Sequence, residues 1–184
     1  MKGIIPFSFF NFKIKRMRLF DKCMVVIFKN EGGYVWHPND PGGETKYGIA
    51  KKFFPNEDIK NLTKGKAKEL YRYHFWNTMN LEGINDENLI LQIFDFGINA
   101  GRGRSIKLIQ GIVGAKPIDG ICGPITKDKI NSFVPIKKDS GTYSAIDLFK
   151  EGRKNYYIDL ANRKPVMNVF LPGWLNRIEK TKFK

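Results

Sequence analysis

Three side chains in one short segment are of the types that cleave glycosidic bonds. Glu31 and Asp40 have eight residues between them, and Thr45 follows after four more, in a stretch rich in glycine and proline. Glycosidases need two carboxyl groups at the scissile bond, one to donate a proton and one to handle water or the developing positive charge. The segment therefore predicts Glu31 as the proton donor, Asp40 as the second carboxylate and Thr45 as a hydrogen-bonding group for water.

A helix is expected to position Glu31. Apolar side chains recur at helical spacing between Leu19 and Asn30, and Glu31 extends the same stripe before Gly32 and Gly33 end the helix. The negative end of the helix dipole and apolar surroundings both disfavour a charged carboxylate. Both features therefore favour the protonated form that a general acid needs.

Each of these residues also has an ordinary structural interpretation. Glu31 could be a solvated residue near a helix end, an Asp before Pro is common in turns, and Thr is common in strands. Glu44 is a competing carboxylate in the same segment. It ranks below Asp40, because it follows two glycines and is expected to point to solvent.

Aromatic residues near this segment are candidates for binding sugar rings: Tyr34, Trp36, Tyr47 and Trp76. Flat apolar faces suit pyranose rings, but the same rings could belong to the core, and for Trp76 the two interpretations are evenly balanced. His37 is expected on a surface loop. Asp95 lies in a very apolar helix, so we expect it to be buried and hydrogen-bonded as a structural residue.

The rest of the chain is predicted to be mainly helical. One small β-hairpin, formed by Tyr34 to Trp36 and Lys46 to Ile49 around the Gly/Pro-rich turn, follows the first helix. Helix caps are predicted at Thr63, at Asn85 or Asp86, and at Ser144 with Asp147, and prolines open helices at Pro124 and Pro172. The expected fold class is a mainly α, α+β lysozyme-like helical bundle.

Composition limits the functions that the chain can have. The 184 residues carry a net charge of +14, which favours polyanionic partners, yet no nucleic-acid-binding motif accompanies it. Cys23 and Cys122 form no metal-site pattern, and we expect two small buried side chains. The first 16 residues are basic, and the apolar patch within them, Gly3 to Phe10, is too short to span a bilayer. We expect a disordered or non-native extension, with a short signal segment, a membrane-surface anchor or a true start at Met17 as the alternatives.

Several motifs together resemble glycoside hydrolase family 108, the phage-type N-acetylmuramidases. They occur in order along the chain: Glu31-Gly-Gly-Tyr34, Asp40-Pro-Gly-Gly-x-Thr45-x-x-Gly-Ile49, Tyr71 to Trp76, Asp95 to Gly101, Asp119 to Thr126, and Gly173 to Arg177. The resemblance covers nearly the whole chain from Met17. It implies a catalytic region at 17–100 and a helical peptidoglycan-binding-like lobe at 101–184, after the 1–16 extension.

The resemblance also implies an activity. It points to hydrolysis of the β-1,4 bond between N-acetylmuramic acid and N-acetylglucosamine, with Glu31 as the proton donor and Asp40 and Thr45 handling water. A lytic transglycosylase and a non-catalytic cell-wall binder are the alternatives. We expect a monomer that needs no cofactor or metal, is made in the cytoplasm and acts on glycan strands in the periplasm or cell wall; whether a holin-type release or secretion exports it stays open.

Overall fold

The computed structural model describes residues 7–36 and 43–183, with side chains from residue 18 onwards. The chain divides into two compact units, the first ending at Tyr73 and the second starting at His74. Within the described residues, helices make up most of both units and the strands form two short antiparallel hairpins, which confirms the predicted mainly α fold. The functional division predicted at residue 100 stays a prediction. No described helix is both long and apolar enough to cross a membrane.

The first unit is built from α1 (Phe7–Asn30), a β-hairpin and α2 (Lys64–Tyr71). α1 begins at Phe7 and not at the predicted Leu19, so residues 7–16, for which we expected disorder, have helical backbone; residues 1–6 lie outside the described residues. The predicted apolar stripe of α1 is confirmed, because its members are at most 1% exposed: Phe20, Cys23, Met24 and Ile27. The hydrophobic effect thus fixes the face of α1 from which Glu31 continues.

The hairpin after α1 has a tighter geometry than the sequence predicted. β1 (Thr45–Lys46) pairs with β2 (Ile49–Ala50), and the two residues between them, Tyr47 and Gly48, have φ angles of 52° and 77°. Two positive φ angles are characteristic of a type I′ turn. The prediction of one strand from Lys46 to Ile49 is therefore wrong, since a reversal of the chain lies in its middle.

The predicted strand at Tyr34 to Trp36 is reduced to one bridge. Val35 N donates to Thr45 O at 2.8 Å and Thr45 N donates to Val35 O at 2.9 Å. This bridge fastens the chain after Glu31 to the first strand of the hairpin. The loop in between, residues 37–42, lies outside the described residues.

α2 confirms its predicted cap and then changes geometry. Thr63 Oγ1 accepts a hydrogen bond from Lys66 N at 3.1 Å, as an N-cap does. The helix continues as a π-helix (Arg72–Trp76) and a short α3 (Asn77–Met79), which ends at Asn80 in the left-handed conformation. The first unit therefore ends inside the π-helical turn.

The second unit is organised around one apolar helix. α4 (Glu87–Ala100) is largely buried and packs against α5 (Arg102–Val113) and α7 (Ala145–Arg163). α7 also packs against α8 (Leu171–Lys180), and a 3₁₀ helix (Pro165–Phe170) joins them. A helix that is hydrophobic on most faces must be surrounded by other elements, which explains the central position of α4.

Local signals placed the starts of three further helices correctly. Asp86 caps α4, Pro124 lies at the start of α6 (Pro124–Asn131), and Ser144 and Asp147 form the predicted reciprocal capping box of α7. The Ser144 side-chain and backbone hydrogen bonds lower the pKa of Asp147. A second hairpin, β3 (Ile136–Lys138) with β4 (Gly141–Tyr143), was not predicted, because its strands are mostly exposed and show no apolar alternation. Both cysteines are buried, as expected, and no disulfide joins them.

Candidate active site

Glu31 lies at the C-terminal end of α1, where the sequence predicted it. Its backbone N–H donates to Ile27 O at 3.0 Å, so the helical hydrogen bonding reaches one residue past the end of α1. The side chain is partly buried, and Gly32 and Gly33 behind it are exposed. The buried stripe of α1 therefore presents Glu31 from the rigid end of a helix.

The turn of the first hairpin lies directly against the Glu31 carboxyl group. A β-carbon built on Gly48 would lie 2.7 Å from Glu31 Oε2 and from its carboxyl carbon, and it would overlap the Tyr71 hydroxyl. A separation under 3.0 Å is one that real β-carbons essentially never show. Gly48 thus meets two requirements at once: its φ of 77° favours glycine, and the carboxyl group occupies the place of a side chain.

Tyr71, at the end of α2, lies on another side of the Glu31 carboxyl group. We call the space around this carboxyl group, bounded by the Gly48 turn and Tyr71, the Glu31 enclosure. The Tyr71 hydroxyl donates to Tyr47 O in the hairpin turn at 3.0 Å, and its side chain is fully buried. Phe28 of α1 contacts the rings of Tyr47 and Tyr71 edge-on, with centroids 6.0 and 6.2 Å apart. A helix end, a turn and a second helix end therefore converge on Glu31, and such support limits the positions that a carboxyl group can adopt.

Tyr71 is the site residue that sequence reasoning missed. It belongs to the Tyr71 to Trp76 motif, but only Trp76 of that motif was considered as a site residue. The signal available was its position on the apolar face of α2 with Ala67 and Leu70, all of them buried. A buried tyrosine hydroxyl needs a hydrogen-bond partner, and here the partner is Tyr47 O in the turn beside Glu31.

The structure describes only one of the two predicted catalytic partners of Glu31, namely Thr45. Asp40 and His37 lie outside the described residues, so the role of Asp40 stays a prediction. Thr45 is half-buried at the start of β1, with its backbone held by the Val35 bridge, and its role also stays a prediction. Partial desolvation and, to a smaller extent, the negative charge of Glu44 raise the pKa of Tyr34.

The four aromatic residues predicted to bind sugar separate into two groups. Tyr34 and Trp36 are 42% and 58% exposed on either side of the bridge at Val35, so their rings are accessible to a ligand. Tyr47 is half-buried, and the ammonium groups of Lys46 and Lys64 lie 5.5 and 5.8 Å from its ring centroid. These cations place positive charge next to the Glu31 enclosure.

Trp76 corrects the prediction. It is only 1% exposed and contacts Phe94 edge-on at 5.1 Å between centroids, in the core of the second unit. A ring with no accessible face cannot stack on a sugar. The core interpretation, which was the alternative, holds for this residue.

Asp95 is the buried, hydrogen-bonded residue that the sequence predicted. Its Oδ2 lies 2.6 Å from Arg153 Nη2, and its Oδ1 lies 2.7 Å from Arg177 Nη2. Gln92 accepts a further hydrogen bond from Arg153 and donates to Thr181 O at 2.6 Å. Two of the recognised motifs, those containing Asp95 and Arg177, therefore meet in the core of the second unit. Arg153, which was not singled out from the sequence, has its side chain fully buried there.

The Asp119 to Thr126 motif forms a loop that is held by one side chain. Gln110 Nε2 donates to Asp119 Oδ1 at 2.9 Å and to Thr126 Oγ1 at 3.2 Å, and Gln110 Oε1 accepts from Gly120 N at 2.9 Å. The Gln110 hydrogen bond and that from Ile121 N lower the pKa of Asp119. The motif is therefore explained by the structure of the loop itself. Over the described residues, no group of three or more His, Cys, Asp or Glu side chains could hold a metal ion.

Comparison with known proteins finds matches to both parts of the chain. Residues 24–101 match the family model described as Glycosyl hydrolase 108, and residues 104–179 match the model described as Predicted Peptidoglycan domain. No curated protein sequence matches the chain significantly. Among solved structures, the structure of Brucella abortus SagA is similar, with 28% identity, a TM-score of 0.69, and coverage of 88% of this chain and 90% of that chain.

The two matches follow one another in the predicted order, and the Glu31 enclosure falls entirely within the first of them. The resemblance inferred from the motifs is thereby confirmed. This chain carries a Glycosyl hydrolase 108 region followed by a Predicted Peptidoglycan domain.

Proposed function

We propose that this protein is an N-acetylmuramidase, which hydrolyses the β-1,4 bond between N-acetylmuramic acid and N-acetylglucosamine in peptidoglycan. The two matched regions support a glycoside hydrolase that acts on peptidoglycan. The observation that carries the proposal is the enclosure of one carboxyl group, Glu31, by the Gly48 turn and the Tyr71 hydroxyl within the glycosidase region. The proposed site of action is the cell wall.

In the proposed reaction, Glu31 donates its proton to the glycosidic oxygen as the bond to the anomeric carbon breaks. A water molecule, oriented by Asp40 and Thr45, attacks that carbon and gives up its proton to Asp40. One displacement inverts the configuration, so the first product from a β-linked strand is the α-anomer. Proton NMR of the product before mutarotation checks this step, and an initial β-anomer would contradict the role given to Asp40.

The positive charge of the chain supports a wall substrate. Wall polymers are mostly anionic, and a net charge of +14 raises the local concentration of the enzyme at such a surface. Salt screens such attraction over a Debye length of ~8 Å at physiological ionic strength. Lysis of intact walls should therefore fall more steeply with added salt than cleavage of short soluble glycans.

Digestion of purified peptidoglycan, followed by mass analysis of the fragments, tests the proposal. Hydrolysis adds one water to each cleaved bond and leaves a reducing N-acetylmuramic acid end. An anhydro sugar would instead show a lytic transglycosylase, and intact strands would show a binder without this activity. Either of these outcomes would reject the muramidase proposal.

Glu31→Gln with Glu44→Gln as its matched control tests the proton donor. The two substitutions make the same change of charge in the same segment, but only Glu31 lies in the enclosure of Gly48 and Tyr71. Loss of general acid catalysis costs on the order of 10²–10⁴-fold in rate. We expect that loss for Glu31→Gln alone, and the reverse pattern would assign the proton donor to Glu44.

A further inference from the structure

A groove of about 490 Å³ lies entirely within the second unit, along α7, α8 and the end of β4. Leu175 and Ile178 of α8 contribute its apolar surface, and Ile178 is almost fully buried. The volume is within the roughly 300–1,000 Å³ that is typical of ligand sites. The groove is thus large enough for a small ligand, and it lies in the region that matches the Predicted Peptidoglycan domain.

One face of α7 gives the groove charges of both signs. Asp147, Lys150, Glu151 and Lys154 all line it, and the spacing of three and four residues places them on one side of the helix. Glu179 adds a carboxylate from α8. A ligand in this groove would therefore meet both ammonium and carboxylate groups.

Several of these charges remain available to a ligand. In the described part of the chain, the side chains of Lys154 and Glu179 make no hydrogen bond or ion pair. Glu151 has one long ion pair, 3.9 Å from Lys138 Nζ, and both side chains are about half exposed, at 52% and 47%. Exposed pairs of this kind contribute little, so a ligand amine could replace Lys138 at low cost.

We propose that this groove binds the peptide stem of peptidoglycan, a short peptide that carries free carboxylates and, on its diamino acid, a free amine. Lys150 and Lys154 would bind the carboxylates, and Glu151 and Glu179 the amine. The inference rests on the proposed function in one respect, that peptidoglycan is the polymer on which the protein acts.

The composition of the groove favours the peptide over the glycan strand. Sugar rings are usually bound against aromatic faces, and Tyr143 is the aromatic residue in the lining. The ammonium group of Lys138 already lies over its ring, 5.0 Å from the centroid. The neutral hydroxyls of a sugar can form hydrogen bonds with a row of alternating charges but no ion pairs, whereas a zwitterionic peptide forms ion pairs with charges of both signs.

The expected affinity for a free stem is low, because exposed ion pairs are weak. A weak site suffices on a polymer. Once one part of the protein has bound the polymer, the groove meets the next peptide stem at an effective concentration of about millimolar. The same peptide stem recurs along the wall. The groove would therefore retain the enzyme on its substrate without slowing its release from any one stem.

Titration of the whole ¹⁵N-labelled 184-residue chain with the tetrapeptide N-acetyl-L-Ala-γ-D-Glu-meso-diaminopimelate-D-Ala tests the proposal, because its only free amine is that of diaminopimelate. This peptide has no glycosidic bond, so binding is measured without turnover. We expect saturable shifts of backbone signals in residues 143–154 and 175–179. Acetylating the peptide amine and, separately, amidating its carboxylates should each weaken binding. Shifts that do not saturate, or that lie outside these segments, would overturn the assignment.

A charge-reversal pair separates a specific site from general attraction. Lys154→Glu should weaken the peptide affinity by about 5-fold or more. Lys129→Glu makes the same change of net charge on an exposed helical lysine of the same unit, outside the groove, and should leave the affinity within about 2-fold. Equal losses in the two variants would reject the groove as the site.

Failure of this inference can be told from failure of the proposed function. Cleavage of glycan strands whose peptides have been removed depends on the proposed chemistry at Glu31 and not on the groove. Peptide binding, in turn, is measured without any cleavage. Cleaved strands with no saturable peptide binding would overturn the groove alone. Saturable peptide binding with uncleaved strands would support the groove and reject the muramidase.

Discussion

Replacing Gly48 by Ala should inactivate the enzyme while leaving it folded. The added β-carbon would lie 2.7 Å from Glu31 Oε2 and would overlap the Tyr71 hydroxyl, so the carboxyl group, the turn or the tyrosine must move. Moving a catalytic group by about 1 Å can cost about 100-fold in rate. We therefore expect kcat on solubilised glycan strands to fall by about 100-fold, with KM changed much less.

The backbone cost of this substitution can be separated from its effect on the site. An L-residue at positive φ costs about 1–2 kcal/mol, which lowers the melting temperature by about 2–8 °C in a chain of this size. Gly114→Ala is the matched control: its φ is 67°, close to the 77° of Gly48, and a β-carbon there meets nothing within 4 Å. Both variants should lose the stability set by the backbone, Gly48→Ala should lose more because of the collision, and only Gly48→Ala should lose activity.

A third variant isolates the collision further. Asn tolerates positive φ better than Ala but still carries a β-carbon. Gly48→Asn should therefore recover part of the stability lost in Gly48→Ala without recovering activity. All variants are assayed well below their melting temperatures. If kcat of the Gly48 variants lies within about threefold of kcat of Gly114→Ala, Gly48 is not needed to make room for the Glu31 carboxyl group.

Three further predictions address the support of the site and the second unit. Tyr71→Phe removes the hydrogen bond to the hairpin turn and should cost about 1 kcal/mol of unfolding free energy, with a fall in kcat, an altered pH–rate profile and an almost unchanged KM; equal rates and profiles would leave Tyr71 with a packing role only. Asp95→Asn leaves the charge of Arg153 buried without its full partner and should cost about 3–5 kcal/mol in urea unfolding, whereas a loss below about 1 kcal/mol would show that the pair is dispensable. The capping-box hydrogen bonds from Ser144 lower the pKa of Asp147 in the folded protein. They therefore stabilise the fold fully above the ordinary pKa range of Asp, and this stabilisation is lost as the pH falls through the lowered pKa. The difference in unfolding free energy between wild type and Asp147→Asn should become smaller in acid, and a difference that grows would contradict the prediction.

The starts of α2, α4 and α7 were predictable from the sequence because their signals are local, whereas the start of α1 at Phe7 was not predicted. Thr63, Asp86 and Ser144 each accept a hydrogen bond from a backbone N–H three residues later, so a few adjacent letters contain the whole interaction. The apolar stripe that leads to Glu31 is equally local. The placement of the proton-donor candidate at a helix end followed from this stripe and from the two glycines, Gly32 and Gly33, that come after it.

The hairpin shows where local reasoning failed. Its turn has a non-glycine residue, Tyr47, at positive φ, and Tyr-Gly is not among the dipeptides that mark a two-residue turn. Alternating residues from Lys46 to Ile49 were therefore assigned to one strand. The contact that favours the turn, from the Tyr71 hydroxyl to Tyr47 O, spans 24 positions and has no local sign in the sequence.

The partners of polar core residues also depend on contacts between distant parts of the sequence, as Asp95 shows. Asp95 was predicted to be buried and paired, because an acid within an apolar helix requires it. Its partner Arg153 is 58 positions away, in a helix whose exposed face carries many other charges. Burial of an acid is thus visible from its neighbours in sequence, whereas the identity of its partner depends on which helices pack together.

The Glu31 enclosure could be predicted in part from local sequence signals and in part only from long-range contacts. Gly48 belongs to a motif recognised in the sequence, and its positive φ alone would explain a glycine at the turn. The structure adds an independent reason, since the Glu31 carboxyl group and the Tyr71 hydroxyl occupy the space of a β-carbon. A residue required both by the backbone and by the site admits fewer replacements than either requirement allows alone. The turn that closes the hairpin and the space that holds the carboxyl group are therefore the same feature, so the precision of this site depends on the fold of the first unit.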